Sequence, residues 1–111
     1  MAQPQHQACI DACKECVQQC EECAYQCCAQ TNMADCTRLC MDCATLCQCC
    51  LSLLSRGSQY AADCCRMCAE VCDACAAECD KYKNQDHCRR CADACRRCAQ
   101  ECRNVAGATV P

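Results

Sequence analysis

The sequence predicts an all-α protein, an antiparallel up-down-up-down four-helix bundle with a cysteine-lined core. Three observations carry this. Cysteine recurs in four separate stretches at alternating steps of four and three residues, the spacing of a helical seam, with a thiol where a coiled coil would place Leu. Each stretch is bounded by residues that cap or break helices. The connections between stretches are short, so consecutive helices should be antiparallel neighbours.

The first helix is expected over about residues 5–30, with its seam at Cys9, Cys13, Cys16, Cys20, Cys23 and Cys27. Pro4 fits its first turn, where a missing N–H costs nothing. Thr31 and Asn32 end it and supply an N-cap for the second helix, about 33–55, whose seam is Cys36, Cys40, Cys43, Cys47 and Cys50. Asp35 then falls in a first turn, where a carboxylate suits the helix dipole. Arg56-Gly57-Ser58 is the clearest break, Gly57 suiting a left-handed C′ position and Ser58 the next N-cap. The third helix, about 58–82, carries Cys65, Cys68, Cys72, Cys75 and Cys79. A turn at 83–86 leads, with Asp86 as N-cap, into the fourth, about 86–104, with Cys88, Cys91, Cys95, Cys98 and Cys102. Residues 105–111 read as a tail, and residues 1–111 as one domain. Between the seam cysteines sit Asp, Glu, Lys, Arg, Gln and Ala, which suit an outer helix face.

Composition makes the same point from another side. Of 111 residues, 24 are Cys and 18 are Ala; only 17 are larger apolar residues, with no Phe and no Trp. A core of Leu and Phe is therefore out of reach, and the core must be largely thiol, a small hydrophobe when neutral. Net charge is -3, which suggests no nucleic-acid partner. Arg89, Arg90, Arg96, Arg97 and Arg103 lie between seam cysteines and read as a solvated face. No signal peptide and no membrane-spanning apolar run are visible, so the cytoplasm is the expected location. Thiols are kept reduced there, which favours metal or redox chemistry over a disulfide framework.

Residues four apart share a helix face with Cβ atoms roughly 6 Å apart. Two sulfurs about 4–5 Å apart can hold a soft metal between them, and rotamer choice supplies that along each seam. Zinc prefers discrete tetrahedral sets of four ligands, and iron–sulfur clusters usually sit in wrapped loops. Cu(I) accepts two or three thiolates in loose geometry, as an unbroken ladder offers. Each Cu(I) that displaces one thiol proton leaves the core's charge unchanged. With 24 thiols the capacity should lie between 12 ions without sharing and roughly 24 with every thiolate bridging. Zinc or cadmium sequestration of the metallothionein kind, an iron–sulfur electron carrier, and a disulfide-stapled bundle are the alternatives. No catalytic constellation is visible, and two glycines cannot build a phosphate-binding loop.

Cys28, Cys49 and Cys64 each sit one residue off the seam, either to flank the core and add ligands or to line a subunit contact, and at least two of them are expected to add ligands. One step beyond each seam lie His6, Leu54, Ala61 and Val105 at one end, with Leu51 and Leu53 near, an apolar plug. At the other end lie Gln30, Met33 and Tyr82, with His87 beside Cys88. Met33 and His87 supply a thioether and an imidazole, so this polar end is the expected mouth for copper.

These chained CxxxC and CxxC steps over about residues 9–102, with the His87-Cys88 start of the last helix, resemble the bacterial copper storage proteins. The absence of a twin-arginine signal resembles their cytosolic branch. The resemblance implies a four-helix bundle holding many Cu(I) ions, a homotetramer, and loading through one open end. Copper-donor or acceptor proteins or small thiols are the expected exchange partners. Twenty-four cysteines exceed what the family leads one to expect and raise the expected capacity.

Overall fold

Four long helices follow one another: α1 (Pro4–Cys28), α2 (Ala34–Arg56), α3 (Ala61–Cys79) and α4 (Asp86–Ala108), with a single 3-10 turn, Asp80–Tyr82, extending α3. The computed structural model describes residues 4–108. The helices form a square bundle with overall dimensions 45 × 20 × 18 Å. Each helix packs on two others, α1 and α3 both lying against α2 and α4, so that every sequence neighbour is also a spatial one.

The turns explain where the helices begin and end. Gly57 takes the left-handed conformation at φ 66°, ψ 37°. Its N–H donates to the Leu54 carbonyl at 3.1 Å, and the Ser58 N–H donates to the Leu53 carbonyl at 2.9 Å. This pair is the two-bond closure of a Schellman C-cap. Ser58 does not cap α3; its hydroxyl accepts from the Tyr60 N–H at 3.1 Å within the turn, and α3 starts at Ala61. Thr31 and Asn32 do not cap α2 either. Asn32 is left-handed at φ 70°, the one non-glycine positive φ among the described residues, and Met33 precedes the helix without a side-chain cap. α1 closes two residues before the expected end, with the Gln30 N–H turning back to the Cys27 carbonyl at 3.0 Å.

At the other chain end, α4 does not fray after Asn104 but continues to Ala108. Val105 and Ala106 are buried at 1% and 6% exposure, so tertiary packing holds a stretch that looks like a tail from its composition. The remainder of the expected tail, 109–111, lies outside the described residues. On the outer surface Arg103 pairs with Asp73 and Arg96 with Asp80, tying α4 to α3 and its 3-10 turn, while Arg89 and Arg90 both pair with Asp86. Such exposed pairs contribute at most about 1 kcal/mol each.

Candidate metal centre

The heptad spacing turns every seam cysteine inward. All six from α1 and five from each of α2, α3 and α4 are fully buried, giving 21 thiols with no solvent exposure. No polar or charged side chain is buried with them among the described residues. The thiols meet along and across the helices. Within α1, Cys23 and Cys27 are 3.7 Å apart. Between neighbouring helices, Cys9–Cys102, Cys13–Cys98, Cys43–Cys72 and Cys47–Cys68 are 3.6, 3.7, 3.5 and 3.6 Å apart. They also meet across the diagonal of the square. Cys40–Cys91, Cys43–Cys95 and Cys47–Cys98, all α2 to α4, stand at 3.8, 3.9 and 3.7 Å. The centre of the bundle is therefore sulfur from one end of the seams to the other.

These separations suit metal binding without a change of backbone. With the ~2.3 Å bond of a zinc thiolate, sulfurs around one ion stand about 3.8 Å apart in a tetrahedron, about 4.0 Å in a triangle and about 4.6 Å on a line. The contacts already match the first two, and a rotamer adjustment of under about 1 Å reaches the third. Sets of four sulfurs lying within 4.8 Å of one another include Cys16, Cys43, Cys47, Cys72; Cys16, Cys20, Cys43, Cys95; and Cys20, Cys75, Cys91, Cys95. The sets overlap, sharing Cys16, Cys20, Cys43 and Cys95, so they cannot all be filled as independent four-thiolate sites.

Burial favours neutral thiols until a metal arrives, while the thiol neighbours raise some members of the column and lower others, Cys16 and Cys91 among those lowered. Burial, then the Cys36 thiol, pushes Cys27 above its ordinary value of 9.0. Burial, then the charge of Cys36, does the same to Cys88. Deep in the column Cys95 is pushed up first by its contacts with Cys16, Cys20 and Cys43. A core without a buried cation has nothing to offset thiolate charge, so deprotonation must be matched by metal.

The two ends differ. At one, Leu54, Ala61 and Val105 close the column at 2%, 3% and 1% exposure, with Leu51 and Leu53 packed beside them and His6 half-buried. At the other, the half-buried His87 places Nε2 3.7 Å from the Cys27 Sγ. Met33 is buried at this end, and its sulfur accepts from the Gln85 side-chain amide at 3.6 Å. The Gln30 amide donates to Gln85 at 2.8 Å, and the Tyr82 hydroxyl donates to the Asn32 carbonyl at 3.3 Å. A hollow of about 270 Å³ opens there between α1 and α2, lined by Cys27, Cys28, Gln30, Asn32, Thr37 and Arg38 among others.

The off-seam cysteines separate. Cys64 is half-buried and lies 3.1 Å from Cys50. Cys28 and Cys49 are exposed, not flanking the core. The Cys28 thiol donates to the Tyr25 carbonyl at 3.1 Å on the rim of the hollow.

The family model described as copper storage protein matches residues 2–107. The chain belongs to the copper storage protein family. Among solved structures, copper-free copper storage protein 3 from Bacillus subtilis is 37% identical, with a TM-score of 0.85 over 90% of this chain and 97% of that one. A cytosolic copper storage protein from Streptomyces lividans, carrying five coppers, is 35% identical, with a TM-score of 0.88 over 93% and 92%. A protein from Nitrosospira multiformis is 40% identical, with a TM-score of 0.85 over 94% and 96%. No curated protein matches the chain. The cysteine columns of this copper storage family member thus stand on a fold shared over nearly its whole length.

Proposed function

We propose that the chain is a high-capacity store for Cu(I), sequestering and so detoxifying the ion on its core thiolates. The observation that carries this is the unbroken column of 21 fully buried thiols with no buried charge beside it. A monovalent soft ion replaces one proton per thiolate and keeps that column neutral, which sets a limit near one ion per core thiol. Zinc in separate four-thiolate sites would leave each site doubly negative with no cation to balance it, and the overlapping sulfur sets do not partition into such sites. The ligands are the seam cysteines, with Cys64 joined to them through Cys50, and with His87 and Met33 serving the open end.

The chain acts as a reservoir and not as an enzyme. Its exchange partners are Cu(I) carriers, whether small thiols or donor and acceptor proteins, which meet it at the His87 end. The cytosolic description of the Streptomyces lividans relative supports a cytoplasmic place for it, and no helix among the described residues is long and apolar enough to cross a membrane. The homotetramer that the family resemblance implies is the assembly we expect, measurable by light scattering after size-exclusion chromatography.

The deciding experiment is an anaerobic Cu(I) titration of the reduced protein against a chromogenic chelator. Saturation should exceed 12 equivalents per chain and approach the count of core thiols. Saturation at four or five would mean discrete four-thiolate sites and would overturn the proposal.

A further inference from the structure

A single mouth poses a transport problem for this column. Cys9 lies 18 residues along α1 from Cys27, about 27 Å at the rise of an α-helix. Copper at the leucine-plugged end must then pass every filled layer to leave through the His87 end. Yet near that plug three thiols of α2 and α3 lead outward from the column. Cys50 is fully buried in the column. Cys64 is half-buried with its sulfur 3.1 Å from that of Cys50, the shortest sulfur–sulfur contact among the described residues. Cys49, next to Cys50 in α2, is exposed. Cys64 thus touches the column on one side and keeps partial exposure on the other, and the exposed Cys49 is among its neighbours. Inward, Cys50 interacts with the Cys102, Cys13 and Cys65 thiols of the deepest layers.

We propose that Cys49 and Cys64 form a side port for Cu(I), a surface dithiolate site that exchanges copper with small-thiol carriers and passes it through Cys50 to the closed end of the column. The reading rests on the storage function above. Each step is ligand exchange with copper remaining +1. A Cu(I) ion arriving between two carrier thiolates forms bonds to the Cys49 and Cys64 sulfurs as its two bonds to the carrier break. The two protons of Cys49 and Cys64 go to the departing thiolates. The Cys50 sulfur then replaces that of Cys49, and the Cys50 proton passes to Cys49. No ion need travel the length of the bundle to reach or leave the plugged end.

The test uses the full chain, anaerobic and reduced, with Cu(I) supplied as its glutathione complex. Wild type, Cys49→Ser, Cys64→Ser and His87→Ala are loaded fully, and copper is withdrawn with an excess of bicinchoninate. Cys49→Ser should lower the capacity by no more than about one ion and slow part of the release several-fold, and Cys64→Ser should slow the same part. His87→Ala should slow a different part. At full loading, when the inner thiols are occupied, Cys49 and Cys64 of the wild type should become protected from iodoacetamide, as read by peptide mass spectrometry. Release from Cys49→Ser and Cys64→Ser at wild-type rates, or alkylation of Cys49 unaffected by copper, would overturn the side port. Such results with capacity still above 12 leave the storage reading intact; a wild type that takes up little copper would refute storage itself.

Discussion

Replacing Cys95 with serine tests the column at its centre. The Cys95 sulfur lies 3.8 Å from Cys16, 3.8 Å from Cys20, 3.9 Å from Cys43 and 4.0 Å from Cys91, and it belongs to two of the overlapping four-sulfur sets. At the neutral limit of one ion per thiolate, Cys95→Ser removes one Cu(I). Where the ion beside it depends on Cys95 as one of only two ligands, the loss becomes two. The copper-free protein also loses stability. A buried hydroxyl without a partner costs about 1–3 kcal/mol. Thr37, Thr45 and Ser55 show the local remedy, each hydroxyl donating to the carbonyl four residues earlier at 3.1, 3.1 and 2.7 Å. A serine at 95 can do the same toward Cys91, so the expected cost is about 1–2 kcal/mol. Native mass spectrometry of wild type and variant, loaded side by side without oxygen, counts the ions directly, and urea unfolding followed by circular dichroism gives the stability. An unchanged copper count would remove the central thiols from the binding set. A loss of four or more ions in a folded variant would mean indivisible clusters in place of a shared ladder.

Burial raises the folded-state values of Cys27 and Cys88 above 9.0, so the stability that neutral thiols provide is full below pH 9.0 and is lost as pH rises through those raised values. The copper-free protein should therefore show a falling urea midpoint above pH 9, whereas Cu(I) affinity, read by chelator competition, should fall as pH is lowered, because protons compete for the thiolates. Leu54→Ala empties part of the plug at a side chain only 2% exposed and should destabilise the copper-free protein by about 2–4 kcal/mol in urea unfolding; a cost under about 0.5 kcal/mol would mean the plug is not packed. His87→Ala removes the imidazole 3.7 Å from Cys27 and should slow loading in stopped flow while changing the capacity by no more than one ion. Ala99→Leu forces bulk into a position 1% exposed while keeping every thiol; it should cost about 1–3 kcal/mol and weaken copper retention against a chelator, and retention equal to wild type would show that helix spacing is not critical.

The fold was legible because one residue type carries the whole periodicity. A four-three beat of cysteine marks the buried face of each helix, and Gly57 sits at the left-handed cap its position suggests. The helix starts were harder to read. Thr31, Asn32 and Ser58 are good capping residues by type, yet Asn32 and Ser58 are used inside the turns, and Met33 precedes α2 uncapped. Val105 and Ala106 look like a tail because two small apolar residues say little alone; both are buried, and Val105 joins the plug. The off-seam cysteines were indistinguishable in sequence, each one residue from the beat. Their difference arises from what faces them: Cys64 meets Cys50 across the α2–α3 wall, whereas Cys28 finds only the carbonyl of its own helix.

Alanine is where the outer-face reading of the sequence misses most, and it explains why the thiols touch. Ala24, Ala44, Ala69, Ala76, Ala92 and Ala99 each follow a seam cysteine by one residue, and all are buried, at 7% exposure or less. They flank the column at the helix contacts. A helix pair separated by leucines keeps its axes about 8–10 Å apart, and small side chains at the contact place it at the near end of that range. A cysteine reaches only one atom beyond Cβ, so thiols from four helices can meet on a common axis only when the helices are drawn in. The alanines permit that approach, and the diagonal contacts at 3.7–3.9 Å between α2 and α4 are its result. The same closeness lets the copper-free column stay shut as a core of neutral sulfur. Filling it with ions then requires rotations of side chains that already touch, and the geometry asks for no change of backbone between the empty and the loaded bundle.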